Sequence, residues 1–350
     1  MARRSLVRRE KGSLPQPTSP RTARLVSLDA EAAALRELRE GLARKPHEIP
    51  CKYFYDDRGS ALFEQITRLP EYYPTPTERA LLIERARAIV ETAGGQALSD
   101  VVELGSGAAE KTVCLLDAAL AAGGRPRYVA VDISAHALQR TRDILGAARP
   151  EVRVEQVLAD YTQTLELPAR VPGGRRLVLF LGGTIGNDED DAAVKLLSRV
   201  RQHLDERDML LLGANLVTDP AVIHAAYNDA QGVTAEFNKN VLAAVNAFAR
   251  CAFDAAKFDH HAPYVVEKRR IEMWLVAREA MEIDLGRLGE RLRLRKGEGI
   301  RTEISRRFLR DEVLRLIDAA GFTPERWMES SDGRFGLALG LSRASLRGLL

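Results

Sequence analysis

The spacing of apolar and charged positions divides the chain into stretches of different period. Residues 28–45, opening Leu28-Asp-Ala-Glu-Ala-Ala-Ala-Leu-Arg-Glu-Leu-Arg-Glu-Gly-Leu42, place apolar side chains at helical intervals with charges between. That pattern predicts an amphipathic helix. Residues 46–76 break the rhythm, with Tyr53, Tyr55, Tyr72 and Tyr73 in loop-rich text around one or two helical turns at Ser60–Ile66. Thr77–Ala93 reads as a helix stopped by Gly94-Gly95. Strands and helices then alternate. Strands are predicted at Asp100–Leu104, Tyr128–Ile133, Val152–Ala159, Leu177–Leu181 and Met209–Gly213. Helices are predicted from about Glu110, from an N-cap at Ser134 to Leu145, and over Ala192–His203. Such alternation implies an α/β fold: a parallel sheet covered on both faces, with ligands bound outside the carboxyl ends of its strands.

From about Asp219 to Arg301 the pattern changes. Helical text at Val222–Ala230 and Asn240–Ala252 leads into alternating stretches at Arg270–Val276 and Arg291–Arg295. The expectation is an inserted α+β segment that joins the N-terminal span in a second domain. A helix at Arg310–Ala320 and strands at Thr323–Ser330 and Phe335–Ser342 then return to complete the sheet. The expected organisation is a basic disordered arm (1–23), a substrate-binding domain (24–76 plus 218–306) and a sheet domain (77–217 plus 307–350).

Composition narrows the class. A chain of 350 residues, 45% hydrophobic and 29% charged, has enough apolar material for sizeable cores. No apolar run approaches the roughly 18 to 20 residues of a membrane span. Cys51, Cys114 and Cys251 lie far apart without a CxxC pair, which argues against a disulfide framework or a cysteine zinc site. They fit a reducing, cytoplasmic setting. No other His, Cys or carboxylate spacing suggests a metal, and His260-His261 reads as a surface or capping pair. The net charge of +3 is uneven: residues 1–24 carry seven Arg or Lys and one Glu, leaving 45 basic against 48 acidic residues. The arm lacks the apolar region of a signal peptide. The mildly acidic body disfavours a nucleic-acid partner.

The candidate chemistry begins where the first strand turns into its helix, at Glu103-Leu-Gly105-Ser-Gly107-Ala-Ala-Glu110-Lys111. Glycines there let the backbone approach a ligand, and the following helix offers free N–H groups. A dinucleotide fingerprint requires glycine at position 110, and this chain has Glu110, which disfavours NAD(P). A carboxylate ahead of the glycines, Glu103, suits a cationic or hydroxyl-bearing ligand. Asp132 ends the second strand, where an acid can accept from both ribose hydroxyls. Asp160 ends the third, positioned for an adenine amino group. Acid, glycine loop, acid and acid form the pattern of S-adenosylmethionine (SAM) methyltransferases, with NAD(P) and a cofactor-free sheet protein as the alternatives.

Longer blocks carry a closer resemblance. They are Tyr53-Phe-Tyr55-Asp-Asp-Arg-Gly-Ser-Ala-Leu-Phe63-Glu-Gln-Ile-Thr-Arg-Leu-Pro-Glu-Tyr72-Tyr73-Pro-Thr, Glu103-Leu-Gly-Ser-Gly-Ala-Ala-Glu-Lys111-Thr, Phe180-Leu-Gly-Gly-Thr-Ile-Gly-Asn187, Ala226-Tyr227-Asn-Asp-Ala-Gln-Gly-Val-Thr-Ala-Glu-Phe-Asn, Arg270-Ile-Glu-Met273-Trp-Leu and Thr302-Glu303-Ile-Ser305. Together they resemble the histidine Nα-methyltransferases of ergothioneine biosynthesis, which make histidine betaine (hercynine), over roughly residues 30 to 345. The resemblance implies a Rossmann-like, doubly wound SAM-methyltransferase sheet with a second α+β domain. It assigns Tyr55, Gly105, Lys111, Asp132, Asp160 and Tyr161 to SAM, with Lys111 on the methionine carboxylate. Asn187 and Tyr227 would meet the substrate α-carboxylate. Tyr72, Glu303 and Ser305 would meet the imidazole, Phe63 and Met273 would line its pocket, and Gly182 would lie near the amine. Tyr55 and Asn187 are the residues implied at the reacting centre.

The expected partner is therefore a small molecule, L-histidine and its methylated intermediates, acted on by a monomer with no nucleic acid and no membrane. Two rivals remain at this stage. One is an Nα-methyltransferase of another aromatic amino acid, such as a tryptophan derivative. The other is a non-catalytic module that binds SAM or an amino acid.

Overall fold

The computed structural model describes residues 28–107 and 109–343, so the basic arm lies outside the described residues. The chain opens with α1 (Leu28–Ala43), the short strand β1 (His47–Glu48), α2 (Asp57–Ile66) and α3 (Pro74–Thr92). Alternation follows: β2 (Leu98–Leu104), α4 (Val113–Ala121), β3 (Arg127–Asp132), α5 (Ala135–Ala148), β4 (Arg153–Leu158), β5 (Arg175–Phe180), α6 (Asp190–Arg201) and β6 (Met209–Asn215). Next come α7 (Pro220–Tyr227), α8 (Val233–Ala249), β7 (Phe258–His261), β8 (Tyr264–Val265), β9 (Arg270–Ala277), β10 (Met281–Asp284), β11 (Arg291–Leu294) and β12 (Gly299–Arg306). α9 (Arg310–Ala319), β13 (Phe322–Glu329) and β14 (Phe335–Ser342) complete the described chain.

Several boundaries differ from the sequence expectation, and three of them have a clear local reason. α2 begins at Asp57 and runs ten residues, because Asp56 caps it by accepting the Gly59 N–H at 2.7 Å. α8 begins at Val233, seven residues before the expected start, because Asp229 accepts the N–H groups of Val233 and Thr234 at 2.9 and 2.8 Å. α4 begins later than Glu110. Gly105, Gly107 and Ala109 all hold left-handed backbone (φ 69°, 51° and 56°), so the chain loops before it can wind. Ser134 does cap α5, accepting from Ala137 N–H at 3.2 Å.

The main sheet has seven strands in the order β13-β14-β6-β5-β2-β3-β4. β4, β3, β2, β5 and β6 pair in parallel, as alternation with helices demands. At one edge the sheet is mixed, since β14 runs antiparallel to β6 and β13 antiparallel to β14. The link between β13 and β14 is too short for a crossover, so these two strands form a hairpin and reverse direction. Buried residues of α3, α4 and α5 pack on one face, including Leu82, Ile89 and Leu116. Those of α6 and α9, including Leu197, Val200 and Ile317, pack on the other. The chain steps from β2 outward to β3 and β4, then returns to place β5 on the far side of β2. That reversal opens a crevice at the carboxyl ends of these strands.

A second sheet, β1-β12-β9-β7 with β8 also on β9, stands over that crevice. Its strand β1 lies parallel to β12, so residues ahead of the main sheet and residues inserted after β6 share one sheet. They also share one hydrophobic core, where Leu38, Phe54 and Leu62 pack with Val241, Leu275 and Ile300. The insert leaves and re-enters side by side: Leu216 bridges Phe308, and Phe308 N–H donates to the Asn215 carbonyl at 2.9 Å. Gly59 allows the tightest approach in this body. A Cβ there would lie 1.6 Å from the Phe54 carbonyl oxygen. No helix among the described residues is long and apolar enough to cross a membrane.

Candidate active site

A single cleft of about 320 Å³ runs between the carboxyl ends of the main sheet and the overlying second sheet. Its sheet end is built from strand termini. Glu103, on β2, turns inward and its Oε2 accepts from Thr112 Oγ1 and Tyr128 Oη, both at 2.5 Å. Both bonds fall on that one oxygen, which braces the turn into α4, and Glu103 lines the cleft. Burial pushes its carboxyl up to about 7, against the pull of those two hydrogen bonds and Lys111. Asp132, at the end of β3, accepts Gly107 N–H on Oδ2 and Ser134 N–H on Oδ1, both at 2.9 Å. Each oxygen keeps a further lone pair, which suits a vicinal diol. Burial raises the Asp132 pKa, and the backbone N–H groups oppose that rise.

Asp160 follows β4. Its Oδ1 accepts from Thr162 N–H at 2.9 Å and Oγ1 at 2.5 Å, and its Oδ2 accepts from Lys52 Nζ at 2.7 Å. Tyr161 packs edge-on against Phe180, with ring centroids 5.8 Å apart. Lys111 sits in the turn before α4, where its ammonium pairs with the fully buried Glu78 of α3. The other Glu78 oxygen accepts the Gly182 N–H at 2.7 Å. Gly182 thus keeps only its carbonyl for a substrate amine. Ser106 Oγ and Asn215 Oδ1 are buried on the cleft wall without a hydrogen-bond partner. Orphaned polar atoms beside a left-handed glycine turn, two strand-end acids and a lysine fit the amino-acid and ribose portions of SAM.

The opposite end is aromatic with a polar floor. Tyr55, Phe63, Tyr72 and Phe237 form a continuous cluster with centroid separations of 5.7 to 6.3 Å. Burial holds the Tyr55 and Tyr72 phenols well above the ordinary tyrosine range, so both stay protonated. Burial and the nearby Glu303 also push up the Cys51 thiol, which meets Asn187 Nδ2 at 3.8 Å. On the floor, Met273 of β9 pairs across the ladder with Glu303 of β12, next to a register shift between Arg301 and Glu303. Burial raises the Glu303 carboxyl to about 8, despite the opposing pull of Arg307. Ser305 and Tyr227 are hydrogen-bonded to each other at 2.7 Å.

All the residues assigned from the sequence line this one cleft: Tyr55, Phe63, Tyr72, Gly105, Lys111, Asp132, Asp160, Tyr161, Gly182, Asn187, Tyr227, Met273, Glu303 and Ser305. Sequence reasoning missed Glu78, Lys52, Phe237 and Arg307. Glu78 had a signal: it lies three and four residues before Leu81 and Leu82, on the buried face of α3. Lys52 and Arg307 had none, because their partners are distant in the chain.

Comparison with known proteins decides the family. The family described as histidine-specific methyltransferase, SAM-dependent, matches residues 34–341. This chain belongs to the SAM-dependent histidine-specific methyltransferases. A histidine N-alpha-methyltransferase of Mycolicibacterium smegmatis is 41% identical over 319 residues, covering 91% of this chain and 98% of that protein. One of Mycobacterium tuberculosis is 41% identical over 313 residues, covering 89% and 96%. Ergothioneine biosynthesis protein 1 of Neurospora crassa is 30% identical over 308 residues, covering 86% of this chain and 33% of that protein. As a SAM-dependent histidine-specific methyltransferase, the protein is an enzyme whose methyl donor is SAM, and the glycine-turn end of the cleft suits that donor.

Proposed function

We propose that the protein methylates the α-amine of L-histidine three times to give hercynine, the first step toward ergothioneine. The observation that carries this reading is the continuity of one cleft. Its sheet end has the acids and glycine turn suited to SAM, and its floor has the Glu303–Ser305 pair suited to an imidazole. Bound SAM supplies an activated methyl on a sulfonium, which leaves the protein to position the amine and keep it unprotonated.

Asn187 and Tyr227 are proposed to hold the substrate carboxylate, and the Gly182 carbonyl to receive an amine hydrogen. An α-amine has a pKa of about 8 in a peptide and is more basic in a free amino acid. Desolvation in the cleft lowers it, so no strong base is needed. The protonated Tyr55 orients the amine by a hydrogen bond, and the proton leaves to solvent before each transfer. The cluster of Tyr55, Phe63, Tyr72 and Phe237 offers π faces to the growing cation. Later rounds therefore keep an attraction after the amine hydrogens are gone. Action as a monomer in the cytoplasm, with a small molecule as the only partner, belongs to the same reading. The three free cysteines are in keeping with it.

The test is incubation with SAM and each amino acid in turn, read by mass spectrometry. Histidine is expected to gain one, two and then three methyl groups. A tryptophan derivative methylated in preference to histidine would overturn the assignment, as would SAM binding without turnover.

A further inference from the structure

One buried carboxylate holds a group from each end of the cleft. Glu78 of α3 is 0% exposed, and its two oxygens have different partners. Oε2 pairs with the Lys111 ammonium, and Oε1 accepts the Gly182 N–H at 2.7 Å. These partners are themselves neighbours: a Cβ built on Gly182 would lie 3.6 Å from Lys111 Nζ. Room for the carboxylate comes from β6, where a Cβ at Gly213 would lie 2.6 Å from Glu78 Oε1.

Fold stability does not explain why an acid stands there. Taking two opposite charges out of water costs about as much as their attraction returns, and apolar side chains in their place often fold as well or better. The acid does fix a short turn. The Leu181 carbonyl accepts from Thr184 Oγ1 at 2.9 Å, and the Gly183 carbonyl accepts from Gly186 N–H at 2.9 Å. Gly182 and Gly183 both hold left-handed backbone, with φ 78° and 69°. With Glu78 on its N–H, Gly182 sits in a peptide clamped at both its hydrogen and its oxygen.

We propose that Glu78 is a positioning residue that sets the methyl donor against the substrate amine. Through Lys111 it locates the donor carboxylate, and through the Leu181–Gly182 peptide it aims the Gly182 carbonyl that receives an amine hydrogen. Both substrates are thus registered to one carboxylate that touches neither reacting atom. The inference rests on the roles given to Lys111 and Gly182 in the reading above. Methyl transfer requires donor and nucleophile in line, and a misplacement of about 1 Å can cost about a hundredfold.

The test compares two variants of the full-length enzyme. Glu78→Gln keeps the shape of the side chain but turns one of its two acceptors into a donor, which then faces either Gly182 N–H or Lys111. Its kcat for the first methyl transfer to histidine, at saturating SAM, is expected to fall by about a hundredfold, with little change in KM for histidine. S-adenosylhomocysteine binding, read by calorimetry, is expected to weaken as well. Gly213→Ala keeps the countercharge: its Cβ displaces Oε1 from Gly182 N–H while Oε2 stays on Lys111. It is expected to lower kcat with S-adenosylhomocysteine affinity retained, and it carries the test if Glu78→Gln does not fold.

A second readout needs no turnover. A backbone N–H bonded to a carboxylate is charge-assisted. The 15N-labelled Gly182 amide of the ligand-free enzyme is therefore expected to show a downfield proton signal that moves upfield in both variants. A lowered Tm with wild-type kcat in the folded variants would make Glu78 merely structural and overturn the proposal, as would an unmoved Gly182 signal. If the wild-type enzyme prefers another amino acid, the histidine reading fails, and kcat of the two variants on that substrate still decides the role of Glu78.

Discussion

Lys52 and Asp160 form an ion pair across the cleft, with Nζ 2.7 Å from Oδ2. Lys52 belongs to the turn before α2 in the second body, and Asp160 follows β4 in the main sheet. Lys52 also reaches Glu37 Oε2 of α1 at 2.5 Å. Desolvation works against the ammonium, but Asp160 and Glu37 outweigh it and hold the lysine above its ordinary pKa. One side chain thus ties the overlying body to the acid proposed to meet adenine.

That latch is expected to couple closure with donor binding. Lys52→Met is expected to weaken S-adenosylhomocysteine binding roughly tenfold, which corresponds to about 1.4 kcal/mol. A double-mutant cycle with Asp160→Asn should give a coupling of about 1 kcal/mol or more. Calorimetric affinities of the four proteins check this, and strictly additive effects would remove the latch from the account.

Glu303 is expected to trade stability for recognition. Its folded pKa of about 8 exceeds its ordinary value of 4.5 because burial penalises the carboxylate. Between those values the native state binds more protons than the unfolded chain, so this group weakens the fold as pH rises. Glu303→Gln should therefore raise Tm relative to wild type by an amount that grows from pH about 5 to about 8 and then levels off. Above pH about 8, where Glu303 is ionised, it should also lower kcat/KM for histidine by about a hundredfold or more, because the ring N–H loses its carboxylate acceptor. Thermal scans across that range check the first part; a pH-independent difference would contradict the assigned burial effect.

Lys111 supports the fold as well as the donor site. Lys111→Met leaves the buried Glu78 with Gly182 N–H but no countercharge. Breaking a buried pair in this way costs about 3 kcal/mol. Urea denaturation should show that loss in the ligand-free protein. The thermal stabilisation by S-adenosylhomocysteine should shrink in the same variant. A loss of stability with undiminished ligand stabilisation would take Lys111 out of the donor site.

Asp132 is expected to tolerate even an isosteric change poorly. Asp132→Asn presents an amide NH₂ to either Gly107 N–H or Ser134 N–H, where each carboxylate oxygen now accepts. Leaving one such donor unmet costs about 1–3 kcal/mol. S-adenosylhomocysteine affinity should fall by about a hundredfold, as read by calorimetry. Wild-type affinity would argue that the ribose does not rely on Asp132.

Strand ends were legible because a strand declares itself by a short apolar run, and the residue after that run must lie at the sheet edge. That placed Asp132, Asp160 and Gly182 correctly along the chain. The start of α4 was not legible, because the left-handed turn at Gly105, Gly107 and Ala109 delays winding without changing the apolar period. The early start of α8 was missed because Asp229 caps from four residues ahead, in text read as the end of the preceding helix. Neither the direction of β14 nor the sheet order was legible, because both depended on pairing with β6 far back in the chain.

By itself the sequence determined the alternating elements, the order of acids and glycines along the main sheet, and the blocks that resemble one enzyme family. Those properties are local, set by side-chain period and by residues close in the chain. Only the tertiary structure decided that α1, β1 and α2 share a core and a sheet with residues inserted after β6, and that Glu78 neutralises Lys111. It alone brought Tyr227 and Arg307 within hydrogen-bond distance of the Ser305 hydroxyl. Tyr227 is 78 positions from Ser305, and the Tyr73 that anchors Arg307 is 234 positions from it. Hydrogen-bond capacity depends on what packs around an atom, and no period in the chain encodes that.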